Sequence, residues 1–208
     1  MITRLVASKT RSKKVRVYLD GRYAFSVEPA VALEAKLHVN QELNQSGIEN
    51  LERENLAKKA LGAANNLLSF RPRSEKELRQ KLLQKGYDTG TVAGCLEHLK
   101  EIGLVDDAAF ARYWAENRAV FSPRSGRMVN LELRQKGIQP ELAEETSEEV
   151  DDESAAYAAG LKKAIRTGNS DYEQFRRKVG EYLKRRGFGY DVINRSLKRL
   201  WDEIAHEE

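Results

Sequence analysis

Apolar and polar residues alternate over the first 28 positions, after which the spacing of apolar residues lengthens to a helical period. Ile2 to Ser8, Val15 to Leu19 and Arg22 to Val27 read as strands, and Asp20-Gly21 between the last two is a strong hairpin signal. The pattern predicts a three-stranded antiparallel sheet over residues 1–28. So small a sheet needs a helix on its apolar face. Pro29 suits a first helical turn, and Val31, Leu33 and Leu37 are expected to supply the cover. Ser46-Gly47-Ile48-Glu49 reads as a capping box that opens the next helix, striped by Leu51, Leu56, Ala60, Leu61, Ala64 and Leu67. Phe70-Arg71-Pro72-Arg73 breaks that helix, and Ser74 to Glu77 forms a second capping box. Gly86 ends the middle helix as a left-handed cap, and a third helix over Asp88 to Ile102 turns Val92, Leu96 and Leu99 inward.

This unit then returns. Leu78 to Tyr87 reappears as Val129 to Ile138 and again as Val179 to Phe188, so that Gly86, Gly137 and Gly187 stand 51 and then 50 residues apart. Pro123-Arg124-Ser125 reproduces Pro72-Arg73-Ser74, and Val105-Asp106-Asp107 recurs as Val150-Asp151-Asp152 after only 45 residues, which shortens the third helix of the second copy. The Asp pairs stand where first helices begin and read as N-caps. In the third copy Ser170 to Glu173 is a further capping box, and Val192, Ile193, Leu197, Leu200 and Trp201 form the last apolar stripe. The expected fold is mainly α: an elongated tandem array of three three-helix repeats, preceded by a small antiparallel sheet with its helix. Its divisions are expected at residues 1–48, 49–105, 106–149 and 150–208. Arrays of this kind grip other macromolecules through extended surfaces.

Charge sharpens the picture. The net charge is only +4, but residues 1–27 hold seven Lys/Arg against one acid, residues 162–200 hold twelve against four, and residues 140–153 hold eight acids and no base. One face is therefore expected to meet something anionic while another is acidic. Arg71 and Arg73 flank Pro72 ahead of a helix N-terminus, and Arg124 and Arg127 occupy the same corner of the second copy, a setting suited to phosphate or carboxylate. In the third copy the charge moves to Arg176, Arg177 and Lys178 and to Lys184, Arg185 and Arg186. Lys9, Arg11, Lys13 and Arg16 suit either a DNA contact or the guarding of a sheet edge.

Catalytic chemistry finds no support. His38, His98 and His206 pair with no metal-ligand spacing, no phosphate-binding loop or dinucleotide fingerprint is present, and the lone Cys95 aligns with Thr146 and Ser196 as a small, partly buried helix position. We expect no enzyme activity, no metal and no cofactor. No apolar run reaches membrane-spanning length and residues 1–14 lack the core of a signal peptide, so a cytoplasmic location is expected; separately, the chain is expected to be a monomer.

Arg73 to Leu82, Lys85-Gly86-Tyr87, Leu99 to Gly103 and Val105 to Arg112 together closely resemble the RecX family of recombination regulators, and Gly126 to Ile138 is similar to that family's next block. The resemblance spans about residues 54 to 204. It implies a regulator that lies along the RecA recombinase filament and limits its growth, ATP hydrolysis and strand exchange, with single- or double-stranded DNA as a further contact. The basic clusters at Arg71/Arg73, Arg124/Arg127 and Arg176 to Arg186 would contribute to that contact. A different class also fits three-helix units, a helix-turn-helix DNA-binding protein acting without RecA, although the acidic helix Glu141 to Val150 is unsuited to a DNA groove. A metal-dependent nuclease using Asp106/Asp107 and Asp151/Asp152 is the least supported reading.

Overall fold

The computed structural model describes residues 1–8, 14–167 and 171–206. Lys9, Arg11, Lys13 and the expected cap Ser170 lie outside the described residues. The chain divides into two compact units, Met1–Val105 and Asp106–Glu208.

The first unit opens with β1 (Ile2–Ala7), β2 (Val15–Leu19) and β3 (Arg22–Val27), antiparallel in that order. Asp20 and Gly21 both take positive φ, 48° and 81°, as a two-residue hairpin turn of primed type requires. Ile2, Val17, Phe25 and Val27 point to one face and are buried there with Val31 and Leu51. Val31 belongs to α1 (Pro29–Glu34) and Leu51 to α2 (Gln45–Leu68). Two expectations fail at this point. Leu33 is 79% exposed, because it lies two residues, about 200° of helix rotation, from the buried Val31 and so faces away from the sheet. The cap of α2 is Asn44, whose side chain accepts from Gly47 N, so the helix starts before Ser46.

Asn55 on α2 is buried, and its amide accepts from Glu28 N at 2.8 Å and donates to Ser26 O at 3.3 Å. A single side chain thus satisfies the backbone where β3 hands over to α1. The next residue of α2, Leu56, is 42% exposed rather than part of the stripe, while Ala60 and Ala64, further along the helix, enter the core of the first repeat. That core joins them to Leu78 and Leu82 of α3 (Glu75–Gln84), Val92, Cys95, Leu96 and Leu99 of α4 (Thr89–Glu101), and Val105.

The second unit holds two more such cores. Phe110 and Ala111 of α5 (Asp107–Phe121), Val129 and Leu133 of α6 (Gly126–Gln135) and Ala143 of α7 (Pro140–Glu148) close the second repeat. Ala156 and Ala159 of α8 (Asp152–Thr167), Phe175, Val179 and Leu183 of α9 (Tyr172–Arg185), and Ile193, Leu197 and Leu200 of α10 (Tyr190–His206) close the third. Gly86, Gly137 and Gly187 share φ values of 89°, 89° and 91°, the left-handed conformation that ends each middle helix. Ser74, Ser125 and Asp171 cap α3, α6 and α9. Cys95, Thr146 and Ser196 are all buried, so the shared position calls for a small side chain.

The two Asp pairs divide their labour. Asp106 and Asp151 cap α5 and α8 through the backbone N–H groups two and three residues on. Asp152 instead accepts from Gly126 N at 2.7 Å, tying the start of α8 to the start of α6. Ser125 N donates to Arg186 O at 3.2 Å, and Lys162 Nζ to Val120 O at 3.1 Å. The second and third repeats are thereby joined into one body.

Candidate functional site

The basic corners of the first two repeats turn most of their charge inward. Arg71 makes a bidentate pair with Glu77, at 2.8 and 3.1 Å, and also donates to Pro72 O. Arg73 Nε donates at 3.0 Å to Leu67 O, one of the carbonyls left over at the end of α2. Glu75 beside them is bonded by Lys100 at 3.0 Å and by Arg79. Burial pushes the Glu75 carboxyl up, but the hydrogen bonds and charges of Lys100 and Arg79 outweigh it and hold the group below the usual carboxylate range.

In the second repeat, Glu132 gathers the charge. Its Oε2 accepts from Trp114 Nε1 at 2.8 Å and Arg118 Nε at 2.7 Å, and Arg124 Nε lies 3.1 Å from Oε1 without hydrogen-bond geometry. Arg118 and Lys136 both stand over the Trp114 ring, at 4.5 and 4.0 Å from its centroid. The N-terminus of α6 already holds an anion, the chain's own Asp152. Of the corner residues named from sequence, only Arg127 stays exposed with no partner among the described residues. These arginines serve the fold first.

The third repeat is built differently. Its middle helix is four residues longer than α3 or α6. Arg176, Arg177, Lys178, Lys184 and Arg185 are exposed along it and have no hydrogen-bond or ion-pair partner among the described residues. Arg186 departs from the group. Its guanidinium stacks 4.3 Å from the Tyr182 ring centroid and donates to Tyr182 Oη at 2.6 Å, with a longer contact of 3.5 Å to Ser122 Oγ. Tyr182 occupies the helix position that Glu132 has in the second repeat and Lys81 in the first. One place in the repeat thus carries three different polar devices.

Between α9 and α10 lies a groove of about 560 Å³. Arg176, Arg177 and Lys184 line it, with Gly180 between them, and Ile193 and Leu197 of α10 form its floor. Tyr190, 71% exposed, stands at its edge. Sequence patterning passed over Gly180 and Tyr190. The available signal was Gly180 itself, because a glycine inside a helix costs about 1 kcal/mol relative to alanine and so asks for a reason. On the other side of the charge balance, Glu141, Glu144, Glu145, Glu148 and Glu149 are all exposed on and just after α7.

No helix among the described residues is long and apolar enough to cross a membrane, and no group of three His, Cys, Asp or Glu side chains gathers there in a metal-binding arrangement. Asp88 and Asp151 are held below the usual carboxylate range by hydrogen bonds from the Thr91 and Ser154 hydroxyls and backbone N–H groups. That is the behaviour of helix caps.

Comparison with known proteins follows the repeats. Models for the first, second and third three-helix domains of RecX match residues 60–99, 106–146 and 151–197. The regulatory protein RecX of Levilactobacillus brevis is 32% identical over 206 residues, covering 96% of this chain and 76% of that protein. The RecX of Prosthecochloris aestuarii is 35% identical over 143 residues, covering 69% of this chain and 94% of that protein. A crystal structure of regulatory protein RecX superimposes with a TM-score of 0.67 at 26% identity, over 93% of this chain and 96% of that one. Three repeats matched in order, on a fold shared with solved members, show that the chain belongs to the RecX family of regulatory proteins.

Proposed function

We propose that this chain regulates homologous recombination and DNA repair by binding the RecA nucleoprotein filament, where it modulates filament assembly, ATP hydrolysis and strand exchange. The observation that carries the reading is the in-order match of all three repeats to the RecX domains. The unpaired cations of α9 support it, since a partner surface can take up charge that the fold leaves unspent. The protein acts without a cofactor, as a monomer in the cytoplasm, through Arg127, Arg176, Arg177, Lys184 and Arg185 in particular. Arg71, Arg73, Arg124 and Arg186 contribute by shaping the repeats that present them. The test is RecA ATPase on single-stranded DNA with increasing protein, together with cosedimentation on preformed filaments. A lower ATPase rate and retention on filaments are expected. Unchanged turnover at excess protein overturns the reading.

The row of free cations on α9 also favours a second reading, a DNA-binding protein of helix-turn-helix type that works without RecA. Five exposed carboxylates on and beside α7 weigh against it, because that helix would meet phosphate with like charge. Salt titration on naked DNA separates the two. Steep salt dependence with sequence preference, and no effect on RecA, supports the second reading.

A further inference from the structure

We propose that the groove between α9 and α10 is a docking site for an acidic protein segment carrying a large apolar anchor. This rests on the reading that the third repeat meets a protein partner, and deepens it by naming the chemistry of the segment that partner presents. Along α9 the groove wall reads Arg176, Gly180, Lys184, residues spaced four apart on one face of a helix. Two unpaired cations therefore stand about 12 Å apart with a gap between them where Gly180 contributes no side chain. A methyl group built on Gly180 would lie 3.5 Å from Leu197 and 3.9 Å from Ile193, so the gap opens directly onto the apolar side chains of α10. Tyr190 extends that apolar surface outward.

This order of charge, gap and charge selects its ligand. An extended segment rises about 3.3 Å per residue, so carboxylates about four residues apart can reach Arg176 and Lys184 while the residue between them rests over Gly180. Glu181 lines the groove next to that gap and Glu173 near its end. A nucleic-acid backbone, charged at every unit, would bring phosphates against both carboxylates. A protein segment places an uncharged side chain there instead.

The experiment uses the full-length protein and a synthetic peptide with Leu-Phe-Leu at its centre and Glu-Asp-Glu on each side. Binding is followed by amide chemical shifts, and no RecA is present, so its outcome and that of the RecA ATPase assay are independent. The peptide is expected to shift the amides of Gly180, Ile193 and Leu197. Arg176→Glu with Lys184→Glu should weaken it about tenfold or more with the melting temperature little changed, because neither side chain has a partner to lose. Gly180→Leu should remove binding by filling the gap, and the charge variants keep the test decisive should that variant fail to fold. Three outcomes overturn the proposal: no shift at those amides, equal binding by the peptide with Ala-Ala-Ala at its centre, or tighter binding at the same amides by oligothymidylate.

Discussion

Three glycines with the same backbone conformation do not carry the same load. Gly86 faces open space, so a methyl group there meets only the penalty of the left-handed region, about 1 to 2 kcal/mol. At Gly187 the added methyl would also lie 2.6 Å from Ser125 Oγ and 3.1 Å from Met128 Cβ. Ser125 is fully buried and caps α6, so it has little room to move. Gly187→Ala should therefore cost clearly more than Gly86→Ala, and the excess should be read in urea titration as a lower midpoint at unchanged slope. Equal midpoints would show that the junction between the second and third repeats yields without cost.

Among the helices, position 132 decides how the second repeat holds together. Glu132 on α6 accepts from Trp114 and Arg118 on α5 and pairs with Arg124 ahead of α6, and its side chain is only 13% exposed. Removing the carboxylate leaves the Arg118 guanidinium and the Trp114 indole N–H without their acceptor and Arg124 without its counter-charge. Glu132→Ala should lose about 2 to 3 kcal/mol, on the scale of hydrogen bonds to charged groups, and Glu132→Gln should recover part of it by keeping an acceptor for Trp114. Thermal denaturation of the three proteins checks the order. The same helices show what sequence could tell. Periodicity and the recurring glycine reveal which residues face the core, because burial and the left-handed cap are local demands written at fixed spacing. Leu33 and Leu56 mislead because apolar character alone does not say how many faces a neighbour covers. The partners of the corner arginines, Glu77, Glu132 and the Leu67 carbonyl, are not legible for a related reason: they are named by folding rather than by spacing. The α9–α10 groove is invisible to a residue list because it is made by something missing, the side chain of Gly180.

At the scale of the molecule, helices and their caps do not respect the divisions that the repeats suggest. A boundary at 48/49 would cut α2, which runs unbroken from Gln45 to Leu68 and gives Leu51 to the core under the sheet and Ala60 and Ala64 to the core of the first repeat. The second and third repeats are likewise linked by Asp152 to Gly126 and by Arg186 to Ser122 and Ser125. The break at Val105/Asp106 is different, because Asp106 starts α5 with its own cap and the cores on either side close separately. A fragment of residues 106–208 should therefore keep its helical circular dichroism and melt in one cooperative transition. A fragment of residues 49–208 loses the Asn44 cap, the first turn of α2 and the sheet that covers Leu51 and Asn55. Its first repeat should melt earlier than in the full chain, while the transition of residues 106–208 stays where the shorter fragment places it. Calorimetry on the three proteins resolves these transitions. A non-cooperative melt of residues 106–208 would mean that the second and third repeats depend on the first for their stability, and that the links at Asp152 and Arg186 are too weak to make them one folding unit.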